Sequence, residues 1–137
     1  HAIFCALNEV SERSAVILPL HPRTKKALTH HNIQISPNIT LCDPLGILEM
    51  HALLANSRCL LTDSGGMQKE AYFYKTPCIT LRDETEWTET VDSGWNQITG
   101  AHHKRILAAI SNSKEGSDIE DYRNGTTAES ILEILQK

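Results

Sequence analysis

Several features are scarce or missing in this sequence, and each absence narrows what the chain can be. Of its cysteines (Cys5, Cys42, Cys59 and Cys78), no two are spaced as CxxC, so the usual zinc and dithiol signatures are absent. Cys42, Cys59 and Cys78 fall in apolar runs that read as strands, which predicts buried free thiols in the reducing cytoplasm. The neighbouring pairs His30-His31 and His102-His103 supply no metal site, because adjacent residues on a helix diverge by about 100° and no third ligand accompanies them. Basic residues are outnumbered, 13 Lys and Arg against 17 Asp and Glu for a formal charge of −4. That balance provides no basic face and argues against a nucleic-acid partner. No apolar run approaches the ~20 residues of a membrane span, and the basic start and continuous apolar core of a signal peptide are missing. There is no initiator methionine. The opening HAIFCALNEVSERS reads as the middle of an amphipathic helix, and the expectation is a piece cut from a longer protein.

What is present is an alternation. With 137 residues, 40% hydrophobic and 22% charged, the chain is expected to form one globular domain. Short apolar runs at 15–20 (AVILPL), 39–43 (ITLCD), 59–63 (CLLTD), 77–83 (PCITLRD) and 96–100 (NQITG) read as strands. Stretches of helical period follow each of them: HPRTKKALTHH, PLGILEMHALLANS with Pro44 near its start, GGMQKEAYFYK, ETEWTETVDSG and AHHKRILAAISNS. Strands of four to six residues, apolar on both faces, suit a parallel sheet covered by helices. Five such units predict an open α/β sheet with helices on both faces. Residues 112–125 read as a loop with one helical turn. TTAESILEILQK reads as a closing amphipathic helix with Thr126 or Thr127 as its N-cap.

The stretch LLTDSGGMQKEA (60–71) places three small residues where a strand gives way to a helix. Ligands of open α/β sheets bind beyond the carboxyl ends of the strands, where helix N-termini point. Gly65 and Gly66 leave backbone N–H groups and the positive end of the helix dipole open to a phosphate, and Ser64 adds a hydroxyl. Glu70, one and a half turns in, is long enough to reach a ligand hydroxyl, and a ribose with two adjacent hydroxyls is its natural partner. Together these suggest a nucleotide. The competing reading is a tight turn with a serine cap, glycines for close packing and a solvated glutamate. A nucleophilic serine fails for want of the preceding glycine of GxSxG, and GxGxxG is absent.

Two further polar clusters are predicted on the same rim. PLHPRT (19–24) sets His21 and Arg23 after the first strand, although Pro22 also suits a plain helix start. LRDETEWTETVDSGW (81–95) sets Arg82, Glu86 and Glu89 after the fourth, although such charge runs are more often a solvated face.

HPRT, LTDSGGMQKEA and LRDETEWTETVDSGWNQITG, in this order, resemble the non-hydrolysing UDP-N-acetylglucosamine 2-epimerases, and YRNGTTAESILEIL resembles the last stretch of that family. The resemblance runs over about residues 15 to 135. It implies two Rossmann-like domains facing each other across a cleft, the GT-B arrangement, with residues 1–137 as the C-terminal, UDP-binding one. It implies a cytoplasmic isomerase of nucleotide-sugar metabolism serving cell-surface polysaccharide synthesis. The reaction inverts C2 of a UDP-2-acetamido sugar by eliminating UDP and adding it back. No metal and no redox cofactor are implied. Position by position, Ser64, Gly65 and Gly66 correspond to the diphosphate site and Glu70 to the ribose site. Leu45 and Met50 correspond to the uracil segment, and His21, Arg82, Glu86 and Trp87 to the substrate cleft. The acid and base carboxylates belong upstream in the family, which implies no catalytic residue in this chain beyond His21 as a cleft residue, and a homodimeric parent protein.

The sequence departs from the family pattern at three places. The common T-E-R-P-E string reads Thr85-Glu86-Trp87-Thr88-Glu89, which replaces a guanidinium fork by an indole with one N–H. The first acid of the usual Q-E-E is Lys69, and L-G-K-P reads Tyr74-Lys75-Thr76-Pro77. Trp87 resembles a branch that includes epimerases of UDP-2,3-diacetamido uronic acids, which opens the identity of the sugar. Two other readings of the nucleotide half stay open at this point: the UDP-sugar domain of a GT-B glycosyltransferase, and a non-catalytic UDP-sugar-binding module.

Overall fold

The computed structural model describes residues 1–122, 125 and 127–136. Helix α1 (Ala2–Ser11) opens the chain, and strand–helix pairs follow: β1 (Val16–Pro19) with α2 (Pro22–His30), β2 (Ile39–Cys42) with α3 (Ile47–Ala55), and β3 (Leu60–Thr62) with α4 (Gly65–Phe73). Then come β4 (Cys78–Thr80) with α5 (Thr88–Asp92), β5 (Asn96–Ile98) with α6 (His103–Ser111), a 3-10 turn at Glu120–Tyr122, and α7 (Thr127–Leu135). The five strands fall where the apolar runs predict them. The predicted N-cap Thr126 lies outside the described residues, and Thr127 is the first residue of its helix.

Every described pairing is parallel, as helical crossovers require. The strands pair in two groups rather than in one continuous ladder: β1 with β2, and β3-β4-β5 in that order. Val16 stands opposite Ile39 in the first group, and Leu60, Cys78 and Asn96 share one row of the second. Helices join the groups. α1 packs on β1, β2 and α6, while α6 packs on β4, and Glu9 Oε2 of α1 lies 3.2 Å from His103 Nε2 of α6.

β4 is the middle strand of its group and all three of its residues are buried, the two-faced burial expected of a covered parallel strand. One core cluster holds Leu54, Ala71 and Cys78 with Leu60 and Met67; another holds Tyr72, Trp95 and Ile119 with Tyr122. The first group is thinner-walled, and Ile17 and Leu41 are each 48% exposed. Burial of the thiols is correspondingly uneven, contrary to expectation: Cys78 is buried, Cys42 and Cys59 are half-buried, and Cys5 is exposed.

Two helices start later than the sequence suggests. Helix α3 begins at Ile47 instead of near Pro44, because Gly46 is extended (φ −68°, ψ 167°) and caps it. The Gly46 amide donates to Glu49 Oε2 at 2.7 Å, so one orphan donor of the helix start is satisfied from within. The fourth stretch, predicted helical from Glu84, is helical only over Thr88–Asp92. Thr85 Oγ1 accepts the Trp87 amide at 3.1 Å, a local side-chain bond that offers the backbone a turn in place of a helix.

The described part of the polar 112–125 segment is pinned to the body at residues 117–119 despite its composition. The Trp95 indole N–H donates to the Ser117 carbonyl at 2.8 Å, and the Tyr72 hydroxyl accepts the Ile119 amide at 2.9 Å. Lys75 Nζ reaches Asp118 Oδ1 at 2.7 Å.

Candidate functional site

The three predicted polar clusters all follow the carboxyl ends of parallel strands. Ser64 caps α4 at the end of β3, with an extended backbone (φ −86°, ψ 123°). Its own amide donates to Thr62 Oγ1 at 3.1 Å, and its Oγ accepts the Met67 amide at a long 3.5 Å. The hydroxyl therefore acts as a helix cap through its oxygen and keeps its hydrogen for another acceptor. The amides of Gly65 and Gly66 sit in the first helical turn, where no carbonyl of the helix can receive them. An anion gains there from both the amides and the dipole.

The two glycines are small for different reasons. A side chain on Gly66 would meet nothing nearer than Ser64 Oγ at 3.9 Å. One on Gly65 would run into the Glu86 carboxylate, with Trp87 Nε1 3.4 Å away. Residues 85–87 thus form a roof over the start of α4. Glu86 Oε2 is held by Arg82 Nη1 at 3.3 Å, both side chains substantially exposed.

The roof stands on a buried polar network that sequence reading missed. Gln68, 1% exposed, accepts at Oε1 from Thr85 Oγ1 (2.6 Å) and from Asn96 Nδ2 (3.0 Å). Asn96 also donates to Thr90 Oγ1 (3.2 Å) and accepts from Thr80 Oγ1 (2.8 Å), while Thr90 donates to the Trp87 carbonyl (2.7 Å). Such networks rigidify when satisfied. Two buried donors, Gln68 Nε2 and Trp87 Nε1, meet no acceptor among the described residues.

Lys69 and Trp87, two of the departures from the family pattern, touch each other. Lys69 Nζ lies 4.0 Å from the Trp87 ring centroid and 4.8 Å from that of Tyr122, a cation between two aromatic faces. The Tyr122 hydroxyl donates to Glu89. That bond, with the nearby Lys69 charge, holds the Glu89 carboxyl below its ordinary range.

Glu70 points from α4 toward α3, and its Oε2 lies 3.2 Å from His51 Nε2, the side chains 38% and 26% exposed. The His51 ring also leans on Tyr74 at 5.3 Å. No spacing rule marks His51 in the sequence; it is found only once the phase of α3 against α4 is known. Met50 beside it and Leu45 before α3 are half-buried. His21 caps α2, its Nδ1 accepting the Arg23 amide at 3.2 Å. Among the described residues, no hydrogen bond or ion pair joins His21, Leu45 or Met50 to the group around Ser64.

A family model described as UDP-N-acetylglucosamine 2-epimerase matches residues 1–136. This chain belongs to the UDP-N-acetylglucosamine 2-epimerase family. A UDP-N-acetylglucosamine 2-epimerase homolog of Methanococcus maripaludis is 43% identical over 133 residues, 93% of this chain and 37% of that protein. A UDP-2,3-diacetamido-2,3-dideoxy-D-glucuronate 2-epimerase of Pseudomonas aeruginosa is 42% identical over 137 residues, 96% of this chain and 38% of that protein. Among solved structures, the UDP-GlcNAc 2-epimerase of Methanocaldococcus jannaschii in complex with UDP-GlcNAc and UDP superposes with a TM-score of 0.84 at 38% identity. The match covers 98% of this chain and 40% of that one. The chain therefore spans about two fifths of the length of these relatives. The fold is the α/β class of these epimerases, which have the GT-B fold. No helix among the described residues is long and apolar enough to cross a membrane.

Proposed function

We propose that this chain is the C-terminal, UDP-binding domain of a 2-epimerase of the non-hydrolysing UDP-N-acetylglucosamine 2-epimerase family. A facing domain on its N-terminal side would complete the cleft, in a protein that works in the cytoplasm as a homodimer. The observation that carries this reading is the start of α4, where Ser64 caps the helix and the Gly65 and Gly66 amides lie in its first turn beneath Glu86, with Glu70 further along the same helix and paired with His51.

The reaction breaks the C1–O bond to UDP and the C2–H bond, leaving a glycal-type intermediate. The proton returns to C2 on the other face, and UDP adds back to C1. Negative charge grows on the diphosphate as it departs, and preorganised amides at a helix N-terminus stabilise that charge without reorganising. Ser64, Gly65 and Gly66 serve the leaving group, Glu70 the ribose, and the Leu45–Met50 segment the uracil. Glu86 is itself an anion over the same helix start, so it turns aside as a diphosphate enters and releases Arg82 toward the phosphates. His21 lines the cleft. The group that takes the C2 proton comes from the facing domain.

Trp87 supports a modified substrate. Its indole N–H is buried without an acceptor beside Gly65, in the string where the sequence departs from T-E-R-P-E. The P. aeruginosa relative, 42% identical, acts by name on a diacetamido glucuronate. The substrate proposed is accordingly a UDP-2,3-diacetamido uronate. The test is incubation of the full-length protein with UDP-N-acetylglucosamine and with UDP-2,3-diacetamido-glucuronate in deuterated water. Deuterium at C2 together with the C2 epimer is the expected result. Sugar transfer to an acceptor without exchange would replace this reading by a glycosyltransferase.

A further inference from the structure

A ribose-binding carboxylate is useful only if it is aimed, and Glu70 has a partner that aims it. We infer that His51 is a positioning residue for nucleotide recognition: through its Nε2–H it fixes the Glu70 carboxylate so that the remaining oxygen faces the ribose hydroxyls. The inference rests on the reading of Glu70 as the ribose ligand and extends it to a residue on a second helix.

The chemistry dictates the direction of the bond. An ionised carboxylate only accepts, so the His51 Nε2 that lies 3.2 Å from Glu70 Oε2 carries a hydrogen and donates it. Among the described residues Glu70 Oε1 makes no hydrogen bond or ion pair, which leaves it for a ligand donor. The histidine is held in turn: 26% exposed, it is backed by the Tyr74 ring at 5.3 Å. A glutamate has three rotatable bonds, and a free one must be immobilised when the ligand arrives. With Oε2 already tethered, that ordering is complete before binding.

The bridge also joins two parts of the site. His51 follows Met50 on α3, the segment on the uracil side, and Glu70 lies on α4 behind the Ser64 turn. Fixing one helix against the other sets the distance between the base and the diphosphate seats. Pyrophosphate, which has neither ribose nor base, ignores that distance; UDP must match it.

The experiment measures UDP and pyrophosphate affinities of the full-length protein by calorimetry, for His51→Phe, His51→Gln, Glu70→Gln and the double variant His51→Phe/Glu70→Gln. Phe keeps the ring against Tyr74 and removes the donor; Gln restores a donor. Because His51 acts on the ligand only through Glu70, loss of its half-exposed hydrogen bond is taken at the ordinary net value, which predicts that His51→Phe weakens UDP by about three- to tenfold, with pyrophosphate unchanged. His51→Gln recovers most of the loss, and His51→Phe adds nothing in the Glu70→Gln background. Equal weakening of both ligands, or a full effect of His51→Phe without the Glu70 carboxylate, would overturn the positioning role and leave Glu70 as ribose ligand intact. If Glu70→Gln itself fails to weaken UDP more than pyrophosphate, the ribose reading falls, and the inference falls with it.

Discussion

Lys69 lies across the face of Trp87, its ammonium 4.0 Å from the ring centroid, so the two residues form one unit above the start of α4. Lys69 fixes the indole plane, and the plane decides where the unpartnered Nε1–H points. Lys69→Met keeps the aliphatic stem but removes the cation, and a half-exposed cation–π contact is worth about 0.5–1 kcal/mol. The expected outcome is a small loss of stability with a larger change in selectivity between UDP-N-acetylglucosamine and the diacetamido uronate. The same kcat/KM comparison on the unsubstituted enzyme is expected to favour the diacetamido uronate. A preference for the plain sugar would remove the link between Trp87 and substrate choice.

Ser64→Ala deletes the hydroxyl but leaves both glycine amides in place. Its cap bond is long, 3.5 Å, so little helix stability should go with it. If the hydroxyl donates to a phosphate oxygen, UDP binding weakens by about 1–3 kcal/mol, and pyrophosphate weakens in parallel. Calorimetry showing unchanged affinity for both would leave Ser64 as a cap and nothing more.

The 137 residues taken alone hold the leaving-group side of the reaction and no assigned base for the C2 proton. Most of the rate of a two-domain enzyme comes from the assembled, water-excluding cleft. Expressed as an isolated domain, this chain is expected to fold, to bind UDP weakly and to leave UDP-sugars unchanged. Deuterium appearing at C2 of the sugar in deuterated water would show that a base lies among these residues after all.

The thiols give a test of the core. Burial pushes Cys78 up to about 12, and raises Cys59 to a lesser degree against the pull of the neighbouring Arg58 charge. A buried neutral thiol is inert while an exposed one reacts. Native protein treated with a thiol-specific disulfide reagent near pH 8 should therefore lose Cys5 first and Cys78 last. A folded pKa above the ordinary value of 9.0 also fixes the sign of the stability change. The contribution is fully present below pH 9 and is lost as pH rises from there toward 12. Cys78→Ser, which titrates nothing in that range, should flatten that part of an alkaline unfolding curve.

Much of this molecule is written in its pattern, and the parts that are not have physical reasons. The alternation of apolar runs with helical stretches locates all five strands, because a covered parallel strand has no polar face to confuse the period. Pro22 marks the start of α2 correctly, since its missing N–H costs nothing in the first turn. The helical period runs through Trp87, but the helix starts only at Thr88, because Thr85, two residues before Trp87, captures its amide. Nothing in the sequence sets Gln68, Thr80, Thr90 and Asn96 apart as a group. They are buried because they satisfy one another, and a mutual arrangement leaves no mark on any one position. At the candidate site the Ser-Gly-Gly turn and Glu70 were legible as chemistry, whereas His51 becomes visible only when two helices are set in phase.

The foot of the 85–87 roof is tied to the interior, since Thr85 is bonded to the buried Gln68 of α4 and, through it, to Asn96 of β5. A loop with such an anchor opens only when part of the core opens with it. In native-state hydrogen exchange, the Trp87 amide should behave like an interior amide and share one opening free energy with the amides of β4. The site's outer wall and its scaffold would then melt as a single unit, and a ligand that tightens one would slow exchange in both.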